Sequence, residues 1–106
     1  MTTEKFRPLT TTSRSDQGGF VYLAVNPAWP GRVKVGRTTS PDKRLSQYQT
    51  ASPFRDWEFA ALVWFPDHFA AEREMLKRLN TSNEWAAVDS FFAAKVLNEL
   101  KGEQPE

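Results

Sequence analysis

An α+β domain, with a three-stranded antiparallel sheet flanked by helices in the order β-β-α-β-α-α, is predicted by three observations on this 106-residue chain. Two stretches rich in aromatic and β-branched residues, 20–25 and 32–37, are separated by a turn region with two prolines and a glycine, the pattern of a hairpin. A third apolar stretch, 57–65, is long enough for a central strand and stops at Pro66. Segments with helical spacing and capping residues fill the remainder, and a chain of this length has room for one domain with a modest core.

Phe20 to Val25 reads as the first strand and Arg32 to Arg37 as its antiparallel partner. Ser40 then caps a helix with Pro41 at its first position, where a missing N–H costs nothing, and the helix runs to about Gln49, burying Leu45 and Tyr48. After the third strand, Asp67 caps a helix to about Leu79 with Phe69, Leu76 and Leu79 on its inner stripe. Residues 83–88 hold a short extended piece. Asp89 or Ser90 opens the last helix, with Phe92, Ala93, Val96, Leu97 and Leu100 on one face. The expected folded unit spans 19–101, after a flexible tail at 1–18 with seven Ser or Thr residues and before a frayed end at 102–106.

With no cysteine, disulfides, thiolate metal sites and a cysteine nucleophile are excluded. No apolar run approaches the roughly 20 residues of a membrane span, and the first residues lack the apolar stretch of a secretory signal. The expectation is a soluble cytoplasmic protein with no membrane partner. The net charge of +1 hides a division: residues 32–55 carry six basic side chains (Arg32, Lys34, Arg37, Lys43, Arg44, Arg55) and one acid, Asp42. Such a cluster is either a solvated face or an anion-binding field that the total charge conceals.

Position decides what the cluster can do. Alternation puts Phe20, Tyr22 and Ala24 on one face of the first strand, and separates Val33 and Val35 from Lys34 and Gly36 in the second. Tyr22 either fills core space or joins a site, and Lys34 either belongs to that site or guards a sheet edge. Arg44 lies one turn before Tyr48 and borders the packed face, so it turns its guanidinium toward an anion or forms a surface ion pair. Glu72 falls inside the apolar stripe of its helix. A carboxylate there costs several kcal/mol unless it is paired, which predicts contact with Lys34 or Arg44, or a bound metal. His68, the one histidine, lies one turn before Glu72, where a His/Glu pair can hold a divalent metal; with no third ligand in the sequence it reads rather as a solvent-facing helix-start residue. Trp29 either packs across its hairpin or stacks on a base, while Trp57, Trp64 and Trp85 are assigned to the core.

Gly19-Phe20-Val21-Tyr22, Lys34-Val35-Gly36-Arg37, Lys43-Arg44-Leu45-Ser46-Gln47-Tyr48 and Ala71-Glu72-Arg73-Glu74-Met75-Leu76 follow one another in an order that resembles the GIY-YIG nuclease superfamily. They look like its first motif with one extra residue, its second motif, the arginine helix of the excinuclease member's nuclease domain, and the helix bearing the metal-binding glutamate. The chain looks closest to a small phage-type, DNA-binding branch in which lysine replaces the second motif's tyrosine. The loop 26–31 and Glu84-Trp85 are also similar to that branch, whereas Leu76 stands where it often has histidine.

The resemblance implies a GIY-YIG-like fold and catalytic roles for Tyr22, Lys34, Arg44 and Glu72. Glu72 would hold Mg²⁺ or Mn²⁺, and Arg32, Arg37, Lys43 and Arg44 would contact DNA. Three functions stay open at this point: a metal-dependent endonuclease, a catalytically inactive nucleic-acid-binding module, and a protein-interaction module derived from the nuclease fold. A chain this small carries no separate targeting domain, which predicts a protein partner, a homodimer or low specificity.

Overall fold

The computed structural model describes residues 18–104 and runs β1 (Gly19–Val25), β2 (Val33–Thr38), α1 (Pro41–Thr50), β3 (Glu58–Phe65), α2 (His68–Arg78), β4 (Trp85–Ala86) and α3 (Ser90–Glu103). The tail predicted for 1–18 lies outside the described residues except for Gly18, which sits directly against the Trp64 indole. Gly102 and Glu103, expected in a frayed end, continue α3, and Arg78 grips Glu103 through two hydrogen bonds of 3.0 and 2.7 Å. Residues 105 and 106 of that end also lie outside the described residues. Among the described residues, no helix is long and apolar enough to cross a membrane.

Among the described residues the sheet is antiparallel but has four strands, in the order β3-β1-β2-β4, where three were expected. The added strand comes from a two-residue turn. Asn83 and Glu84 both have positive φ (53° and 72°), and Ser82 and Trp85 exchange backbone hydrogen bonds of 2.8 and 3.0 Å across them. This left-handed turn matches the twist of a hairpin and folds Trp85 and Ala86 onto Val33 and Lys34 of β2. Strand β4 falls within the extended piece expected at 83–88, but two residues are too few for periodicity to show that they join the sheet.

The second correction concerns β3. Among the described residues it pairs only with β1 and so is an edge strand, not a central one. Its residues alternate between half-buried and exposed, leaving Leu62 and Trp64 at 40% and 46% exposure. Trp64 therefore lies outside the core. A continuous apolar run reports hydrophobicity on both faces without saying that both are covered.

The core lies between one face of the sheet and helices α2 and α3. Val21, Leu23, Val33, Val35 and Phe65 meet Ala71, Met75 and Leu79 of α2, and Ala93, Leu97 and Leu100 of α3. On α2 the buried face is rotated by about one residue from the expected stripe. His68, Ala71, Met75 and Leu79 point inward, while Phe69 and Leu76 are half-buried. On α3, Phe92 is 50% exposed, because Ala93, Leu97 and Leu100 already complete an inward face at intervals of four and three. Asp67 and Asp89 cap α2 and α3, their Oδ1 atoms accepting from the amides of Ala70 and Phe92 at 3.1 and 2.8 Å. Ser40 does not cap α1 with its side chain; its own amide donates to Thr38 Oγ1.

Candidate nucleic-acid interface

Register decides what faces away from the core. Tyr22 pairs with Gly36 and Ala24 with Lys34, so Tyr22, Lys34 and Gly36 share the face opposite Val21, Val33 and Val35. Tyr22 is buried, but by Phe59 (ring centroids 4.9 Å apart) and Tyr48 and not by the main core. A Cβ at position 36 would come within 2.3 Å of Tyr22 Oη and 2.4 Å of Cζ, so the phenol lies across β2 only because glycine stands there. Lys34 has strand neighbours on both sides, Ala24 and Trp85, which removes the edge-guard reading.

Helix α1 completes this face. Arg44 and Tyr48, one turn apart, both reach Tyr22. Tyr22 Oη lies 2.8 Å from Tyr48 Oη, and Arg44 Nη1 donates to it at 3.3 Å. Burial, followed by the Tyr22 hydrogen bond, pushes the Tyr48 phenol well above the usual tyrosine range. Either hydroxyl can donate across the Tyr22–Tyr48 bond, while Arg44 donates to the Tyr22 oxygen. Lys34 Nζ stands 5.6 Å from the centre of the Tyr48 ring and 5.9 Å from that of Trp85.

Glu72 is half-buried, with its side chain 15% exposed, and its ion-pair partner is Arg37, not Lys34 or Arg44. Arg37 Nε donates to Oε1 at 3.1 Å, and the guanidinium carbon lies 3.6 Å from the centre of the Phe69 ring. Arg37, expected to contact DNA, gives its Nε to Glu72 while its side chain stays 36% exposed. The alternation that sends Lys34 to the α1 side sends Arg37 to the α2 side, which explains the exchange of partners. Burial pushes the Glu72 carboxyl above the ordinary glutamate range; Arg37 opposes this, the Glu84 charge adds to it, and Arg44 lowers it slightly. Glu72 is therefore within electrostatic reach of Arg44 while its hydrogen bond goes to Arg37.

His68 is buried at 2% exposure, against the solvent-facing expectation, and its Nδ1 has no hydrogen-bond partner. It packs so closely on β1 that a Cβ on Gly19 would lie 2.7 Å from three atoms of its ring. Among the described residues, no three His, Cys, Asp or Glu side chains gather into a metal-binding group. Arg32 and Lys43 are exposed and accessible to a polyanion.

The feature that sequence reasoning missed is aromatic. Trp29, Trp57 and Trp85 form a triangle with ring centroids 5.7–6.1 Å apart, and Tyr48 stacks on Trp57 at 4.7 Å. Trp57 and Trp85, assigned to the core, are half-buried on the α1 side of the sheet. Trp29 packs on both and is 49% exposed. Its proximity to Lys34 follows from the β4 turn, which the sequence does not announce. The spacing of Arg44 and Tyr48 was the one available signal that Tyr48 belongs to the site.

The fold defines a small α+β domain with Tyr22, Lys34, Arg44 and Tyr48 on one face of its sheet and the Glu72–Arg37 pair on the side of α2. The chain belongs to the T5orf172 domain family, whose family model matches residues 19–101. This is a phage-associated domain related to the GIY-YIG and HNH-like nuclease folds, and membership points to a nuclease-like or DNA-binding module. No curated protein and no solved structure matches the chain.

Proposed function

We propose that this is a DNA-binding domain of GIY-YIG nuclease type that hydrolyses a phosphodiester with Mg²⁺ or Mn²⁺. The observation that carries the reading is the junction at Tyr22 Oη, where Arg44 and Tyr48 meet over Gly36.

In this reading Arg44 donates to the phosphoryl oxygens, where charge develops, with N–H groups not used on Tyr22. Lys34 supplies a second cation to the same phosphate. Tyr22 orients the attacking water or takes its proton. A free tyrosine, with a pKa near 10, is a poor base at neutral pH. The bonds to Arg44 and Tyr48 hold the Tyr22 oxygen in place for either role. Arg32 and Lys43 take flanking phosphates.

Glu72 is the residue that would hold the metal. Mg²⁺ commonly takes one or two carboxylates and completes its shell with water and substrate phosphate. A single half-buried carboxylate with the Glu84 charge nearby fits that mode, whereas a closed protein cage does not. Such an ion polarises the phosphate and stabilises the leaving oxygen.

One observation favours a second reading, DNA binding without turnover: Arg37 already neutralises Glu72. Nicking of supercoiled plasmid with Mg²⁺ or Mn²⁺ separates the two. On the nuclease reading Glu72→Ala abolishes nicking yet binds DNA as well as or better than wild type, since a negative charge has gone. Wild-type protein that binds but never nicks leaves a binding module. Affinity that does not fall between roughly 50 and 200 mM salt would sink both readings, because phosphate contacts release counterions.

A further inference from the structure

Beside the Tyr22 junction lies a hollow that the proposed chemistry does not use. It has a volume of about 450 Å³, is walled by Trp29, Tyr48 and Trp57, and is rimmed by Lys34, Arg44 and Gln47. This falls in the ~300–1,000 Å³ range of small-ligand sites. Trp29 also divides it from a second hollow of about 400 Å³, bounded by Trp85, Arg32 and Ser82. Neither lining contains an acidic side chain, and together they carry three cations.

The walls are held in place by polar bonds and not by packing alone. Asn26 accepts from the Ala28 amide at 2.9 Å and donates to Asp56 at 2.9 Å, joining the loop that bears Trp29 to the segment that bears Trp57. Gln49 grips the Trp57 backbone at both ends, donating to its carbonyl at 2.8 Å and accepting from its amide at 3.0 Å. A surface tryptophan that merely filled space would not require such a frame.

We infer that this aromatic hollow binds an unpaired nucleobase, stacked on Trp29 and its neighbours, with the attached phosphate reaching Lys34 and Arg44. The inference rests on the DNA-binding reading above and names its substrate class: single-stranded DNA, an overhang or an extruded nucleotide. Three arguments select this occupant. Lys34 already stands over the Tyr48 and Trp85 rings, so a cationic ligand of the kind aromatic cages attract is repelled. The cationic rim calls for an anion joined to the stacking group, which a nucleotide supplies. A base inside a duplex has both faces covered, whereas indole walls engage an open π-face. The Gln47 amide at the rim can pair with base edges.

The test compares binding of full-length protein to a short oligothymidine, to an abasic oligonucleotide of equal length, and to a blunt duplex, followed by tryptophan fluorescence and anisotropy. The oligothymidine should bind best and quench the tryptophans, and the abasic strand should bind roughly tenfold more weakly at equal charge. Trp29→Ala should cost the oligothymidine about tenfold and barely affect the duplex, while Trp29→Phe keeps most of the affinity. Equal affinity for thymidine and abasic strands, or for duplex and single strand, overturns this inference and leaves the DNA-binding reading intact. No binding to any of the three overturns both. Quenching by a proline-rich peptide alone would assign the hollow to a protein ligand and also overturn it. The abasic comparison needs no variant, so a folding defect in Trp29→Ala cannot obscure the result.

Discussion

The two faces of the sheet are built from the same strands and contain different chemistry. Toward α2 and α3, β1 and β2 present Val21, Leu23, Val33 and Val35, all essentially unexposed and apolar. Toward α1, the intervening positions present Tyr22, Lys34 and Gly36, surrounded by phenols, indoles and cations. Dispersion and burial hold the first face together, and any well-shaped hydrocarbon serves there. The second face depends on hydrogen bonds to named atoms and on a glycine that leaves room for one ring. Stability and function are thus separable at single-residue resolution, with neighbours in sequence belonging to opposite sides.

Leu97→Ala gives the largest expected loss of stability, about 3 kcal/mol from a cavity on the apolar face, read by urea unfolding. DNA affinity of the folded fraction should stay unchanged; a parallel loss of affinity would break the separation. Gly36→Ala should cost about 1–3 kcal/mol, because the new methyl displaces the Tyr22 phenol. Unlike Leu97→Ala, it should abolish plasmid nicking in protein that remains folded. Tyr48→Phe keeps the stacking on Trp57 and removes one hydrogen bond to Tyr22, for about 1 kcal/mol of stability. Nicking should drop at least about tenfold with little change in affinity, sharpening the contrast between packing and positioning.

The titration of α2 gives a smaller effect with a defined sign. His68 has its pKa lowered by burial and then by Arg37, so the unfolded chain binds a proton more readily. Its contribution is complete above pH 6.5, the ordinary histidine value, and is lost as the pH falls below it. Glu72, raised by burial, acts oppositely: its ionisation removes stability as the pH rises above 4.5, the ordinary glutamate value. Urea midpoints measured against pH should lose the first slope in His68→Leu and the second in Glu72→Gln. The smallest effect belongs to Glu103→Gln, which breaks an exposed pair with Arg78. Its shift in melting temperature should disappear in high salt.

Element identity was largely legible in the sequence, since period-2 alternation, Pro41, Asp67 and Asp89 marked where strands and helices begin. The site was legible in part. Alternation separated Lys34 from the valines of its strand and helical spacing put Arg44 one turn from Tyr48, but only the hairpin register brought Tyr22 and Lys34 to one face. Glu72 stood out as a charge inside an apolar stripe. Its partner could not be read, because Arg37 and Lys34 lie close together on β2 and only the placement of α2 on one face chooses between them. His68 escaped a linear reading for a related reason: rotating a helix by one residue interchanges border and centre. The indole triangle was invisible because Trp29, Trp57 and Trp85 come from three separated segments.

Local chemistry determined the alternation of β2 and the helix starts. These depend on backbone sterics and near-neighbour hydrogen bonding, which a linear chain already contains. Tertiary structure alone decided that Arg37 meets Glu72, that Tyr48 and Arg44 converge on Tyr22, and that three tryptophans wall one hollow. Each of those contacts joins residues far apart in the chain, so its energy exists only after strand register and helix rotation have been set by packing of the opposite, apolar face.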